Sequence, residues 1–105
     1  MQIQVNTDNA IHGDERLIEI VKEAVNSELN HLSDRLTRVE VHLGDQNAEK
    51  RGPENIRCTI EARPRGGAPM AAHEEAANIP AALKGATKKI RARLTSEFDK
   101  IDSRR

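Results

Sequence analysis

Apolar and polar positions along the 105-residue chain fall into two kinds of pattern, one repeating every second residue and one every three to four. The strictest alternation runs from Thr37 to Leu43, where Val39, Val41 and Leu43 take one side and Arg38, Glu40 and His42 the other. A half-buried strand places successive side chains on opposite faces, so this segment is predicted to be one. The pattern returns from Asn55 to Arg63: Ile56, Cys58, Ile60 and Ala62 face inward, and Arg57, Thr59, Glu61 and Arg63 face outward. Gln2 to Val5 alternates in the same way and predicts an opening strand. Pro69 to Glu75 follows the turn-forming Pro64-Arg65-Gly66-Gly67 and is expected to return as a short edge strand, although its alanines are weak strand formers. Between the two strictly alternating segments, Gly44 to Glu54 lacks apolar periodicity and contains two breakers, which predicts an exposed loop.

Helical spacing appears twice. After a turn-rich connection from Asn6 to Gly13, Asp14 is placed as an N-cap, and Leu17, Val21, Ala24, Val25 and Leu32 share one side of a helix spanning about 14–33. Its outer side carries Glu15, Glu19, Glu23, Asn26 and Asn30, so it is acidic and rich in amides. From Asn78 to Asp102, Ala82, Leu83, Ala86, Ile90, Leu94 and Ile101 lie within roughly 60° of one line at about 100° per residue. Asn78 is positioned to cap this helix, and Pro80 sits near its start, where its missing N–H costs nothing. Glu97 interrupts the apolar arc and Phe98 lies at its edge, so the last two turns are expected to run past the core. Lys84, Lys88 and Arg91 form an outward ridge, and Lys89, Arg93 and Lys100 form a second one on a flank.

The element order is therefore strand, helix, three strands, helix. That order describes an α+β two-layer sandwich, β-α-β-β-β-α, with a four-stranded sheet and two helices on one face. At this length one core is expected, and residues 1–105 are read as a single domain. No run approaches a membrane span and no signal-peptide pattern opens the chain, so the expected location is cytoplasmic with no membrane partner. Lone Cys58 falls on the inward face of its strand, which makes it a buried thiol. The net charge is zero but unevenly distributed: residues 1–54 carry 6 Lys/Arg against 11 Asp/Glu, and residues 55–105 carry 11 against 6. Only the second half offers a polyanion a favourable surface.

The stretch from Met70 to Leu94, MAAHEEAANIPAALKGATKKIRARL, together with the element order, resembles the ribosome hibernation-promoting factor family, also called ribosome-associated inhibitors or sigma-54 modulation proteins. In that family a strand with a His-Ala element leads into an Asp-x-Tyr-Ala-Ala-Ile-Asp helix start and then a basic amphipathic helix. Here Asn78 stands at the Asp position and Pro80 at the Tyr position, Ala81-Ala82-Leu83 match Ala-Ala-Ile, and Lys89-Ile90 fit the Lys-Leu that follows. The resemblance implies a short form of the family, with a shape similar to double-stranded-RNA-binding domains. It further implies a monomer that binds the small ribosomal subunit and its rRNA in the decoding channel and inhibits translation under stress or in stationary phase. It implies no cofactor, and DNA is not an expected partner.

Lys84, Lys88, Lys89, Arg91 and Arg93 become candidate rRNA contacts, together with Arg63 and Arg65 beside the Gly66-Gly67 turn. The competing reading gives the helix charges to Glu19 and Glu23 of the first helix, and Arg63 and Arg65 to an ordinary hairpin turn. A protein-interaction module of the same fold that no longer binds ribosomes is the alternative function. Arg38, His42 and Arg57 on the open sheet face have no aromatic neighbours, so a base-stacking platform is not expected. Nor is an enzyme: His73-Glu74-Glu75 lacks zinc-site spacing, Glu74 and Glu75 point to opposite faces of a strand, and no serine occupies a nucleophile elbow.

Overall fold

A computed structural model describes residues 1–47 and 54–104. Strand β1 (Gln2–Thr7) leads into helix α1 (Glu15–Leu29), a 3-10 helix (Asn30–Arg35), strands β2 (Leu36–Asp45), β3 (Ile56–Pro64) and β4 (Met70–Ala76), and helix α2 (Ile79–Ser103). The sheet runs in the order β1-β2-β3-β4. β2, β3 and β4 pair antiparallel, as short connections allow, but β1 and β2 are parallel. α1 lies between them and carries the chain back along the sheet, so β2 starts at the same end as β1. The sheet is thus mixed.

Both alternating segments keep their phase. Val39, Val41, Cys58, Ile60 and Ala62 are fully buried, and Leu43 and Ile56 nearly so. They join Val21, Val25 and Leu29 of α1 and Ala82, Leu83, Ala86, Ile90 and Leu94 of α2 in one hydrophobic cluster. β2 extends through Asp45, two residues beyond the predicted end. Residues 48–53, the centre of the predicted loop, lie outside the described residues.

Two helix expectations are corrected. α1 ends at Leu29 instead of continuing to about 33, and residues 30–35 wind more tightly as a 3-10 helix. Asn30, Ser33 and Asp34 compete with the helical backbone for hydrogen bonds, which favours a terminus there. Leu32 still packs against the core from that turn. On α2 the inward line drifts: Ile101, placed on the apolar stripe, is 37% exposed, while Phe98, placed at its edge, is 4% exposed. Each four-residue step from Ile90 to Leu94 to Phe98 advances the line by about 40°. Phe98 then comes beneath the Arg35 guanidinium, which lies 4.0 Å from the ring centroid. Arg35 also holds both carboxylate oxygens of Asp102, at 3.0 and 3.1 Å. Core packing therefore reaches one turn further along α2 than its sequence pattern suggests.

Cys58 has no solvent exposure, and burial pushes its thiol up to about 12. A neutral, enclosed thiol is a poor nucleophile. Native protein is expected to resist thiol reagents at pH 8 and to react fully once denatured. Rapid labelling of the folded domain would place β3 in the wrong phase.

Candidate nucleic-acid interface

α2 starts where its sequence places it. The Asn78 side chain accepts a hydrogen bond from the Ala81 N–H at 2.9 Å, and Pro80 occupies the first turn. The buried positions of the helix turn toward the sheet and α1, which leaves its cationic residues exposed. They do not form one surface, because the fold itself engages several of them.

Lys89 and Arg93 face the outer edge of β4. The Lys89 ammonium donates to the His73 carbonyl at 3.1 Å and pairs with Glu74 at 3.3 Å. Arg93 donates to the Ala71 carbonyl. Carbonyls on a sheet edge have no neighbouring strand, and these two side chains supply the missing donors. Gly85 permits the arrangement, since a side-chain carbon there would lie 2.3 Å from a Glu74 carboxylate oxygen. Arg91 reaches across to α1 and pairs with Glu28 at 3.1 Å. The internal pairing of helix charges thus exists for Lys89 and Arg91, but with Glu74 and Glu28 as acceptors in place of Glu19 and Glu23.

Lys84 and Lys88 differ from these three. Both are exposed, and among the described residues neither side chain has a hydrogen-bond or ion-pair partner. They stand four residues apart, one above the other on α2, in line with Arg91. Lys88, but not Lys84, lines an open groove between the end of α1 and α2, together with Glu28, Arg91, Thr95, Ser96, Asp99 and Lys100. Thr95 and Ser96 bring hydroxyl donors that residue-by-residue charge reading passed over. Thr95 shares the Lys88–Arg91 side at helical spacing, which was the signal available for it, while Ser96 lies about 80° further round. Lys100, assigned from sequence to the flank with Lys89 and Arg93, lines this groove and also a second one beside Arg93.

The remaining candidates lie elsewhere. Arg63 points to the open face of the sheet, opposite the helices, where it pairs with Glu61 at 3.0 Å and Glu40 at 3.4 Å. Arg38 pairs with the same Glu40 at 2.9 Å and donates to Gln4. Arg38, Arg57 and Arg63 are balanced on that face by Glu40, Glu61 and Glu75, so it presents no strong field to a polyanion. Arg65 sits in the β3–β4 turn, which Gly66 closes with a φ of +69°. Its side chain donates to the Asp34 carbonyl at 3.0 Å and its backbone N–H to the Arg35 carbonyl at 2.9 Å. The turn borders the far end of α2, near Phe98 and Ile101. The seven candidates thus separate into a free pair, three residues tied to the fold around that pair, and two arginines at the other end or on the other face. Among the described residues no group of three His, Cys, Asp or Glu side chains could hold a metal ion, and no helix is long and apolar enough to cross a membrane.

The family described as Sigma 54 modulation protein / S30EA ribosomal protein matches residues 3–102. The chain belongs to that family. Its members are ribosome-associated hibernation and modulation factors without enzymatic activity. Among solved structures, the N-terminal domain of Protein Y from Thermus thermophilus superposes with a TM-score of 0.70 at 16% identity, covering 89% of this chain and 94% of that one. A ribosomal subunit interface protein from Coxiella burnetii gives a TM-score of 0.72 at 12% identity, covering 94% and 99%. Identities this low establish a common α+β fold. No curated protein matches the sequence. Family membership thus rests on nearly the whole length of the domain, with an Asn-Ile-Pro helix start in place of the family's Asp-x-Tyr.

Proposed function

We propose that this domain binds the small ribosomal subunit in the decoding channel and inhibits translation under stress or in stationary phase, as a cytoplasmic factor without a cofactor. Lys84 and Lys88, with the hydroxyls of Thr95 and Ser96 and the ammonium of Lys100 along the groove that Lys88 lines, contact rRNA phosphates. The observation that carries this reading is the pair of lysines left without protein partners on an exposed, four-residue helical spacing, in a chain that belongs to a ribosome-associated family. Phosphate contact needs charge and donors but no base-stacking platform, which suits a helix face without aromatic residues. The Coxiella relative's description as a subunit interface protein is consistent with docking where the subunits meet. Lys89, Arg91 and Arg93 mainly hold β4 and α1 against α2, and they add to the local positive field.

Sedimentation of tagged protein with ribosomes through sucrose gradients tests the proposal. Cofractionation with 30S and 70S particles at low salt is expected, with binding that weakens on a log–log slope of about −0.7 to −0.9 per phosphate neutralised. Absence from both fractions at low salt would leave the second reading, a protein-interaction module of the same fold. The internal pairing of Lys89, Arg91 and Arg93 is the observation that favours that second reading.

A further inference from the structure

The two edges of the sheet are finished differently. At β4, Lys89 and Arg93 reach over from α2 and occupy the edge carbonyls of His73 and Ala71. At β1, the other edge, β2 is the single strand neighbour of Gln2–Thr7. Among the described residues, no hydrogen bond from outside β2 reaches the main chain of residues 2–7. Its sequence, QIQVNT, also contains no Lys, Arg, Asp, Glu or Pro, the residues with which natural edges repel an incoming strand.

We propose that β1 pairs with β1 of a second copy of this chain, antiparallel about a two-fold axis normal to the sheet, to give a continuous eight-stranded sheet with all four helices on one side. The strand is complementary to itself. Its register with β2 sets Ile3 beside Val39 and Val5 beside Val41, so Ile3 and Val5 lie on the helix side, and Gln2, Gln4 and Asn6 lie on the open side. With the axis at Gln4, each Ile3 opposes the second copy's Val5, each Gln2 opposes the second copy's Asn6, and the two Gln4 side chains oppose each other. Branched aliphatic side chains meet their own kind on one face, and on the other amides meet amides, with Gln4 of each copy also accepting from Arg38 and donating to Asn6 of its own chain. No charge faces a charge. Slipping the register by one residue would set aliphatic groups against amides and place the helix layers on opposite sides. The sequence by itself suggested a monomer; the unguarded edge becomes apparent only once β1 is seen to end the sheet.

Five opposed residue pairs bury less than the roughly 1,200 Å² of a stable interface, so the association is reversible and concentration-dependent. In sedimentation equilibrium the wild-type mass should rise toward that of a dimer between about 10 µM and 1 mM. Gln4→Lys, which opposes two ammonium groups across the axis, should remain monomeric over that range. Cysteine cross-linking tests the register, because Cys58 is buried and silent. Opposed residues on antiparallel strands have Cα atoms about 4.5–5.5 Å apart, within disulfide reach. Oxidised Gln4→Cys should therefore yield covalent dimer well above a Ser96→Cys reference on exposed α2. Gln2→Cys alone should not, since its own mate lies about 13 Å along the strand, whereas Gln2→Cys mixed with Asn6→Cys should. Wild-type protein that stays monomeric at 1 mM overturns the proposal, as does dimer formed equally by Gln4→Cys and Ser96→Cys, or by Gln2→Cys alone.

Discussion

Replacing Lys84 and Lys88 together by Glu is expected to remove the domain from ribosomal fractions and abolish translation inhibition, with a thermal melt indistinguishable from wild type. Both side chains are exposed and unpaired among the described residues, so their reversal disturbs no packing and changes stability by at most about 0.5 kcal/mol. If each lysine neutralises one phosphate, any residual binding should have a salt slope shallower by about 1.5 units. The flank gives the opposite result. Lys89→Glu with Arg93→Glu removes the donors on the β4 edge and sets a carboxylate against Glu74. That pair should lower stability by roughly 1 kcal/mol and weaken ribosome binding less than the Lys84/Lys88 pair does. Circular dichroism melts beside a ribosome pelleting assay separate the two sets. Binding by the Lys84/Lys88 variant with an unchanged salt slope would take the α2 ridge out of the mechanism.

Ile60→Ala should cost about 2–5 kcal/mol, a large share of the stability of a domain this size, about 0.05–0.15 kcal/mol per residue. Ile60 has no solvent exposure and lies on an inner strand, between Val41 of β2 and Ala72 of β4 in register, with α2 packed over β3. Truncation there leaves a cavity that a flat sheet under a helix cannot collapse to fill. Ile101→Ala is the internal comparison: the same chemistry at a 37% exposed position should cost well under half as much. Urea titrations with an unchanged m-value would show that both act on the native state. A loss below 1 kcal/mol for Ile60→Ala would contradict the assignment of that face to the core.

Within this chain the cations of α2 divide between those that the fold engages and those left at the surface. The acidic first helix supplies Glu28, and the edge strand supplies Glu74, and each takes one cation of α2 out of the surface. Zero net charge is compatible with polyanion binding under that arrangement. The acids neutralise the cations that hold the layers together, while Lys84 and Lys88 remain outside those pairs.

Sequence alone determined the element order, the phase of both inner strands, the Asn78 cap and the buried thiol, because each depends on side chains within a few residues of one another. Period-two alternation assigns faces without knowledge of the neighbouring strand, and a cap is closed by backbone three residues away. Tertiary structure alone decided the rest. β1 lies parallel to β2 because a helix crosses between them, a relation that no local pattern encodes. Phe98 is buried and Ile101 is more exposed because the inward line of α2 drifts by about 40° per four-residue step, which brings Phe98 beneath Arg35. The candidate cations looked alike along the sequence; they became different when residues 15 to 63 positions away supplied acceptors to Lys89, Arg91 and Arg93 and none to Lys84 and Lys88. Charge is a local property of a sequence, but whether it is available to a partner depends on what the fold places within about 4 Å of it.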